Sequence, residues 1–153
     1  LWIACPLQAS GFGLIDTETG RSAVVGGYPG PVATAAFNTA AKALVTSGGF
    51  RITAWSTASL PFDDAKVGVL ETGRRSLVAI DRIAGHPTKK LVAAAYENGQ
   101  IVIAQVGNGD ELVLRPSGAS VTSLAWAPDG RHLAIGDRNG RAALSGFPVQ
   151  IFK

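Results

Sequence analysis

Apolar residues along this chain come in short consecutive runs, neither strictly alternating with polar ones nor spaced for a helix face. Leu91-Val-Ala-Ala-Ala95 is bounded by Pro87 and Asn98-Gly99, and Leu133-Ala-Ile-Gly136 by Pro128-Asp129-Gly130 and Asn139-Gly140. A sheet with one wet face alternates apolar and polar positions, whereas a strand covered on both faces does not. Alanine-rich stretches also have high helical propensity. Runs this short, punctuated by Pro and Asn-Gly, nevertheless read as strands. The pattern predicts short strands in sheets stacked on both faces, with small side chains letting neighbouring sheets approach closely.

The two runs belong to a repeat. Residues 80–99 lie over residues 121–140 without gaps at an offset of 41 residues, which brings Pro87 over Pro128, Asn98-Gly99 over Asn139-Gly140, and Ile80, Ile83 and Val92 over Val121, Leu124 and Leu133. Asn-Gly readily adopts the positive φ angles of a tight hairpin. Each unit therefore reads strand, turn, strand, turn, strand, and Gly107-Asn108-Gly109-Asp110 leads into a fourth strand over residues 111–115. Four antiparallel strands in about 41 residues is the size of one β-propeller blade.

A weaker copy starts at Val32, 48 residues before Ile80, with strands over 32–37, 43–46 and 50–55. Its excess length falls in a polar loop over 56–66 that holds Pro61 and Asp63-Asp64. A partial unit precedes it, with strands over 1–4, 11–15 and 21–25 and no inner strand, and residues 149–152 are left to form an outer strand for the last unit. The expected fold is all-β: about three and a half to four blades of four antiparallel strands, divided as 1–30 (partial), 31–75, 76–118 and 119–153. An arc of this size is expected not to close a ring alone but to be part of a larger one, completed by further sequence, a second chain or a copy of itself.

Val121-Thr-Ser-Leu-Ala-Trp-Ala-Pro-Asp-Gly-Arg-His-Leu-Ala-Ile-Gly-Asp-Arg-Asn-Gly140 resembles the inner two strands of a WD-repeat blade, and the resemblance extends over nearly the whole chain. Trp55-Ser56 sits where the family's signature Trp ends the third strand, and Ile15-Asp16 looks like a weakened form of that dipeptide. The likeness is greatest to bacterial WD-repeat proteins, which implies a cytoplasmic binding scaffold rather than an enzyme. Gly85-His86 departs from the pattern: it falls in the first strand-turn segment, whereas the family places its Gly-His pair before the inner strand. The buried network that such a His anchors is accordingly expected to be absent.

Composition narrows the function. The net charge of +3 comes from 14 basic and 11 acidic residues dispersed along the chain, with only Arg74-Arg75 and Lys89-Lys90 adjacent. Nucleic-acid binding calls for a denser basic stripe with interleaved aromatics, so binding to nucleic acid or an acidic surface ranks second to binding a protein. No apolar run approaches the roughly 20 residues that span a bilayer. The single cysteine, Cys5, allows no internal disulfide and is expected as a buried strand residue.

Candidate chemistry is sparse. His86 and His132 fall at turns and are expected to be solvated. Asp63-Asp64 offers too few oxygens for a closed cation site, and Gly26, Gly27 and Gly30 lack the helix that would complete a phosphate cradle. A ligand in the central channel would need polar residues at the starts of the inner strands, where Val32, Ile80 and Val121 stand. No catalytic residue, metal or cofactor is expected. Trp55, Trp126 and Phe37 are expected to fill the interfaces between blades. If the family's geometry holds, Tyr28, Phe50, Arg74, Arg75, Tyr96, Glu97 and Arg138 share one rim of the propeller, and aromatic and arginine side chains are enriched at the energetic centres of protein interfaces.

Overall fold

The computed structural model describes residues 1–8, 10–60 and 68–152. Asp63-Asp64 and most of the loop expected around them lie outside the described residues. The strands, in chain order, are β1 (Trp2–Pro6), β2 (Gly11–Asp16), β3 (Ser22–Gly26), β4 (Ala35–Asn38), β5 (Ala43–Thr46), β6 (Ile52–Ser56), β7 (Val69–Thr72), β8 (Ile80–Gly85), β9 (Leu91–Tyr96), β10 (Ile101–Gln105), β11 (Glu111–Arg115), β12 (Val121–Trp126), β13 (His132–Asp137) and β14 (Ala142–Gly146). They form four antiparallel meanders of 3, 4, 4 and 3 strands, here sheets one to four, each following chain order.

The repeat is realised to the residue. Strands β8, β9 and β10 map onto β12, β13 and β14 at the 41-residue offset, and the register slips at the same place in both sheets, between Ile80 and Arg82 and between Val121 and Ser123. Such a bulge adds one residue to the inner strand and turns it locally. In sheet two, β4 begins at Ala35, three residues later than the pattern predicts at Val32, and β6 begins at Ile52 rather than Phe50. Val32 is buried without being in a strand, and residues 47–51 are given over to a turn.

Three apolar clusters join the four sheets in series. Phe12, Leu14 and Val25 of sheet one meet Leu44 and Trp55 of sheet two, with Tyr28 and Val32 from the intervening connector. Ala43, Val45, Ile52 and Ala54 meet Ile83, Val92, Ala94, Tyr96 and Val102 of sheet three. Ala84, Ala93, Ala95, Ile101 and Ile103 on the other face of sheet three meet Val121, Leu133 and Ile135 of sheet four, with Leu124 and Trp126 at the margin. All six residues of β9 are buried, as unalternated apolar runs require. No cluster among the described residues joins sheet four to sheet one.

Two expectations need correction here. Residues 149–152 do not form an outer strand: Ile151 and Phe152 fold back to pack against the cluster between sheets three and four, and the Lys89 ammonium donates to the Val149 carbonyl. Burial of these two apolar side chains outweighs the ladder bonds that an exposed edge strand would gain. Phe37 does not fill a blade interface but is 44% exposed. Trp126, at the equivalent position, is covered by the inner strand of the preceding sheet, donating its indole N–H to the Ala84 carbonyl at 3.2 Å, whereas sheet one has no described strand inside β1 to cover Phe37. Cys5 is half-buried on β1.

The two Asn-Gly turns allow a matched experiment. Gly99 and Gly140 have nearly the same backbone, at φ +76° and +74°, but a Cβ on Gly99 would lie 2.3 Å from the Gly118 carbonyl oxygen, whereas one on Gly140 would meet nothing. Gly140→Ala should cost only the backbone term of about 1 kcal/mol. Gly99→Ala should cost clearly more, because the turn must part from the connector. Urea unfolding of the two variants checks this, and equal losses would contradict the packing described.

Candidate functional site

The turns between the second and third strands of sheets two, three and four and the connectors between sheets lie along one rim, tied by backbone bonds. Gly48 N–H donates to Ile80 C=O and Ile80 N–H to Gly49 C=O, both at 2.9 Å; Ser76 N–H donates to Phe50 C=O at 2.7 Å, Glu97 N–H to Ala79 C=O at 3.0 Å, and Arg138 N–H to Ser120 C=O at 3.0 Å. Gly30 N–H joins the same seam through Gly48 C=O. A rim satisfied in this way by its own backbone is a fixed platform for the side chains it carries.

Phe50, Arg74, Arg75, Glu97 and Arg138 are exposed on this rim. Tyr28 and Tyr96 are not available there: both are buried in the core beneath it. The Tyr28 hydroxyl shares a hydrogen bond of 2.6 Å with Thr46 Oγ1 and accepts one of 2.9 Å from the Trp55 indole, while the Tyr28 ring meets Phe12 edge-on. Burial raises the pKa of Tyr28, opposed by its bonds to Thr46 and Trp55. Tyr96 is pushed up to about 12 by burial, with the Glu111 carboxylate adding to the rise. Both tyrosines flank glycine-rich turns, and the sequence alone does not reveal how far the turns fold over them. Missed in the sequence were Pro29 and Arg51, which with Phe50 and Arg75 line a recess of about 320 Å³ on the rim. Arg51 is held there by the Gly73 carbonyl at 3.1 Å and the Glu71 carboxylate at 3.0 Å.

His86 is the larger departure. Expected to be solvated and without a network, it is 3% exposed. Its Nε2 lies 2.9 Å from the Gly130 carbonyl of the next sheet's turn, while Nδ1 accepts the N–H groups of Thr88 and Lys89 at 3.1 and 3.0 Å. Two donors at Nδ1 leave the proton on Nε2, facing Gly130. The ring also packs on Trp126, centroids 4.8 Å apart. Asn38, which lies 48 residues earlier and so at the equivalent position, donates to the carbonyls of Lys89 at 3.0 Å and Leu91 at 2.8 Å, and Lys89 is the counterpart of Gly130 at the 41-residue offset. At each of these two junctions one polar side chain thus reaches from the end of an inner strand to the first turn of the next sheet. In sheet four the position is Ala127. The signal was present in the sequence as these two offsets, but Asn and His share no family motif there.

A second tie repeats at the bulge. Thr34 Oγ1 accepts the Ile83 N–H at 2.9 Å, and Arg82 Nε donates to the Thr122 carbonyl at 3.2 Å. Val32, Ile80 and Val121, the starts of the predicted inner strands, are buried between sheets rather than presented to a channel. His132 meets the expectation for a turn histidine, half-exposed with Nδ1 2.7 Å from the Asp129 carboxylate. Among the described residues no group of three or more His, Cys, Asp or Glu side chains could hold a metal ion, and no helix is long and apolar enough to cross a membrane.

Comparison with known proteins agrees with this geometry. The family model of the anaphase-promoting complex subunit 4 WD40 domain matches residues 86–147. The β-propeller domain of Myceliophteria thermophila Cps50 (Swd1) superposes with a TM-score of 0.70 at 19% identity, over 95% of this chain and 48% of that one. A chain of the mitotic checkpoint complex superposes with a TM-score of 0.71 at 15% identity, over 95% of this chain and 42% of that one. The present chain therefore spans about half the length of the propeller chains it matches. No curated protein matches it in sequence. The fold and the repeat together define its class: the chain is a run of β-propeller blades, of which residues 86–147 are similar to a WD40 domain.

The His86 geometry fixes a pH dependence. Burial holds the imidazole pKa below the ordinary value of 6.5; the bond to Gly130 opposes this and the Lys89 ammonium adds to it. As pH falls below that value the unfolded chain binds the proton first, so stability is lost from about pH 6.5 down through the lower native value. His86→Asn, which copies Asn38, should remove this histidine-linked slope. His86→Ala should cost about 1–3 kcal/mol at neutral pH by leaving buried amides and a carbonyl unpaired. Thermal unfolding of the three proteins between pH 8 and about pH 5 checks both, and an unaltered slope in His86→Asn would refute the assignment.

Proposed function

We propose that this chain is a non-catalytic scaffold whose rim, carrying Phe50, Arg74, Arg75, Glu97 and Arg138, binds another protein. The observation that carries this reading is the recess lined by Pro29, Phe50, Arg51 and Arg75, where an exposed aromatic ring stands beside arginines on a platform whose backbone is already satisfied. A rigid seat for a partner side chain, surrounded by charge, is the arrangement that concentrates binding energy in protein interfaces. Both structural relatives are propellers, one of them within a multiprotein complex. A cytoplasmic setting fits the single cysteine, which needs no oxidising compartment.

The double variant Phe50→Ala/Arg75→Glu should lose a partner that the wild-type chain retains on affinity capture. The control Lys90→Glu, away from the rim, should keep it. Loss should persist at moderate salt, because an aromatic anchor is not screened, whereas phosphate contacts weaken steeply with ionic strength. Equal retention by both variants would refute the rim. Binding of a labelled oligonucleotide that collapses with salt and with Arg75→Glu would instead favour an acidic ligand.

A further inference from the structure

The recess on the rim does not stand alone. It shares Pro29, Gly49 and Thr53 with a second recess of about 200 Å³, which continues along the connector between sheets one and two to Tyr28, Trp55 and Val69. The two form one groove whose ends differ in chemistry. At one end Phe50 stands with Arg51 and Arg75, and at the other the walls are aromatic and aliphatic. Among the described residues no carboxylate lines either end.

The basic end is prepared for one negative charge. Arg51 is fixed through Nε by the Gly73 carbonyl and through Nη1 by the Glu71 carboxylate, which leaves Nη2 without a partner among the described residues. A guanidinium already held along one edge loses little freedom when another edge binds. The Arg75 side chain has neither hydrogen bond nor ion pair among the described residues. Two guanidiniums against the single Glu71 carboxylate leave one positive charge in excess. That balance suits a carboxylate, which guanidinium forks bind with directional, charge-assisted bonds. A nucleic-acid backbone repeats its charge along its length and would meet uncharged walls over the rest of the groove.

The other end suits an apolar side chain. At about 200 Å³ it falls below the roughly 300–1,000 Å³ of small-molecule sites. The Trp55 indole N–H and the Tyr28 hydroxyl are bonded to each other, and the hydroxyl to Thr46 as well, so these residues offer the groove ring surface rather than polar groups. Val69 is half-exposed beside them. We infer that the groove receives an extended segment of a partner protein, with an Asp or Glu side chain at Arg51 and Arg75 and an apolar side chain at Trp55 and Val69. An extended chain returns alternate side chains to one face about 6.6 Å apart, so one short segment serves both ends. This inference rests on the rim reading and names the chemistry of its partner.

Selection from a displayed library of short random peptides on the 153-residue chain tests it. The selected peptides should share an acidic residue close to an apolar one. In fluorescence anisotropy, changing that acidic residue to its amide should weaken binding by about tenfold or more, the strength of a hydrogen bond to a charged group. Val69→Asn should relax the preference at the apolar position and keep the acidic one. Arg75→Glu should lose the acidic peptide and gain a version with lysine in its place, because Arg51 then faces two carboxylates, and misfolding cannot produce such a gain. Peptides without an acidic preference, or an amide version that binds equally well, would overturn the inference; their release by Phe50→Ala would leave the rim reading standing. Peptides retained unchanged by Phe50→Ala/Arg75→Glu would overturn both. A library that yields no peptide would overturn the inference alone, since a rim that holds a folded partner needs no short segment.

Discussion

A single hydrogen-bonded reach across each of two blade junctions sets the geometry on which the rest depends. At the end of an inner strand, Asn38 or His86 extends to a carbonyl in the first turn of the next sheet, Lys89 or Gly130. Apolar faces alone would let two sheets slide, since burial of area has no direction. A buried carbonyl that must be paired does have one. The reach therefore fixes register between sheets, as the ladder bonds fix it within them. Gly130 belongs to the same device: a Cβ there would stand 2.5 Å from the His86 ring.

From that register the rim follows. Because sheets two, three and four are held to one another at one end by this tie and near the inner bulge by Thr34 and Arg82, the connectors are brought against the turns, where backbone groups pair with one another. Exposed Phe50, Arg75 and Arg138 then stand on a surface whose shape is set by the junctions below it. The small side chains of sheet three matter for the same reason, since Ala84, Ala93 and Ala95 let sheet four come close enough for the His86 imidazole to reach Gly130.

The all-β blades were legible because the two determinants of a blade are local: consecutive apolar residues in β9 and positive-φ turns at Gly99 and Gly140. The 41-residue offset placed β8 to β10 over β12 to β14 to the residue. What escaped was set by contacts between sheets. Tyr28 and Tyr96 look like rim residues because they adjoin turns, yet their rings point inward. His86 looks like a turn histidine, and it becomes a buried tie only because Gly130 of the next sheet meets it. Phe37 matches Trp126 in sequence and not in burial, because the covering strand is present at one junction and not at the other. Function is less legible for the same reason: a rim is assembled from three connectors and the turns beside them.

Whether a neutral His86 with its proton on Nε2 holds sheets three and four in register is open to a direct spectroscopic measurement. Long-range nitrogen–proton correlation spectra of the labelled chain report the tautomer and the titration of each imidazole. His86 should show an unprotonated Nδ1 and a protonated Nε2 that persist as the pH is lowered past 6.5, with the Thr88 and Lys89 amides protected from exchange. Rapid averaging between tautomers, with titration at the ordinary histidine value and unprotected amides, would contradict it.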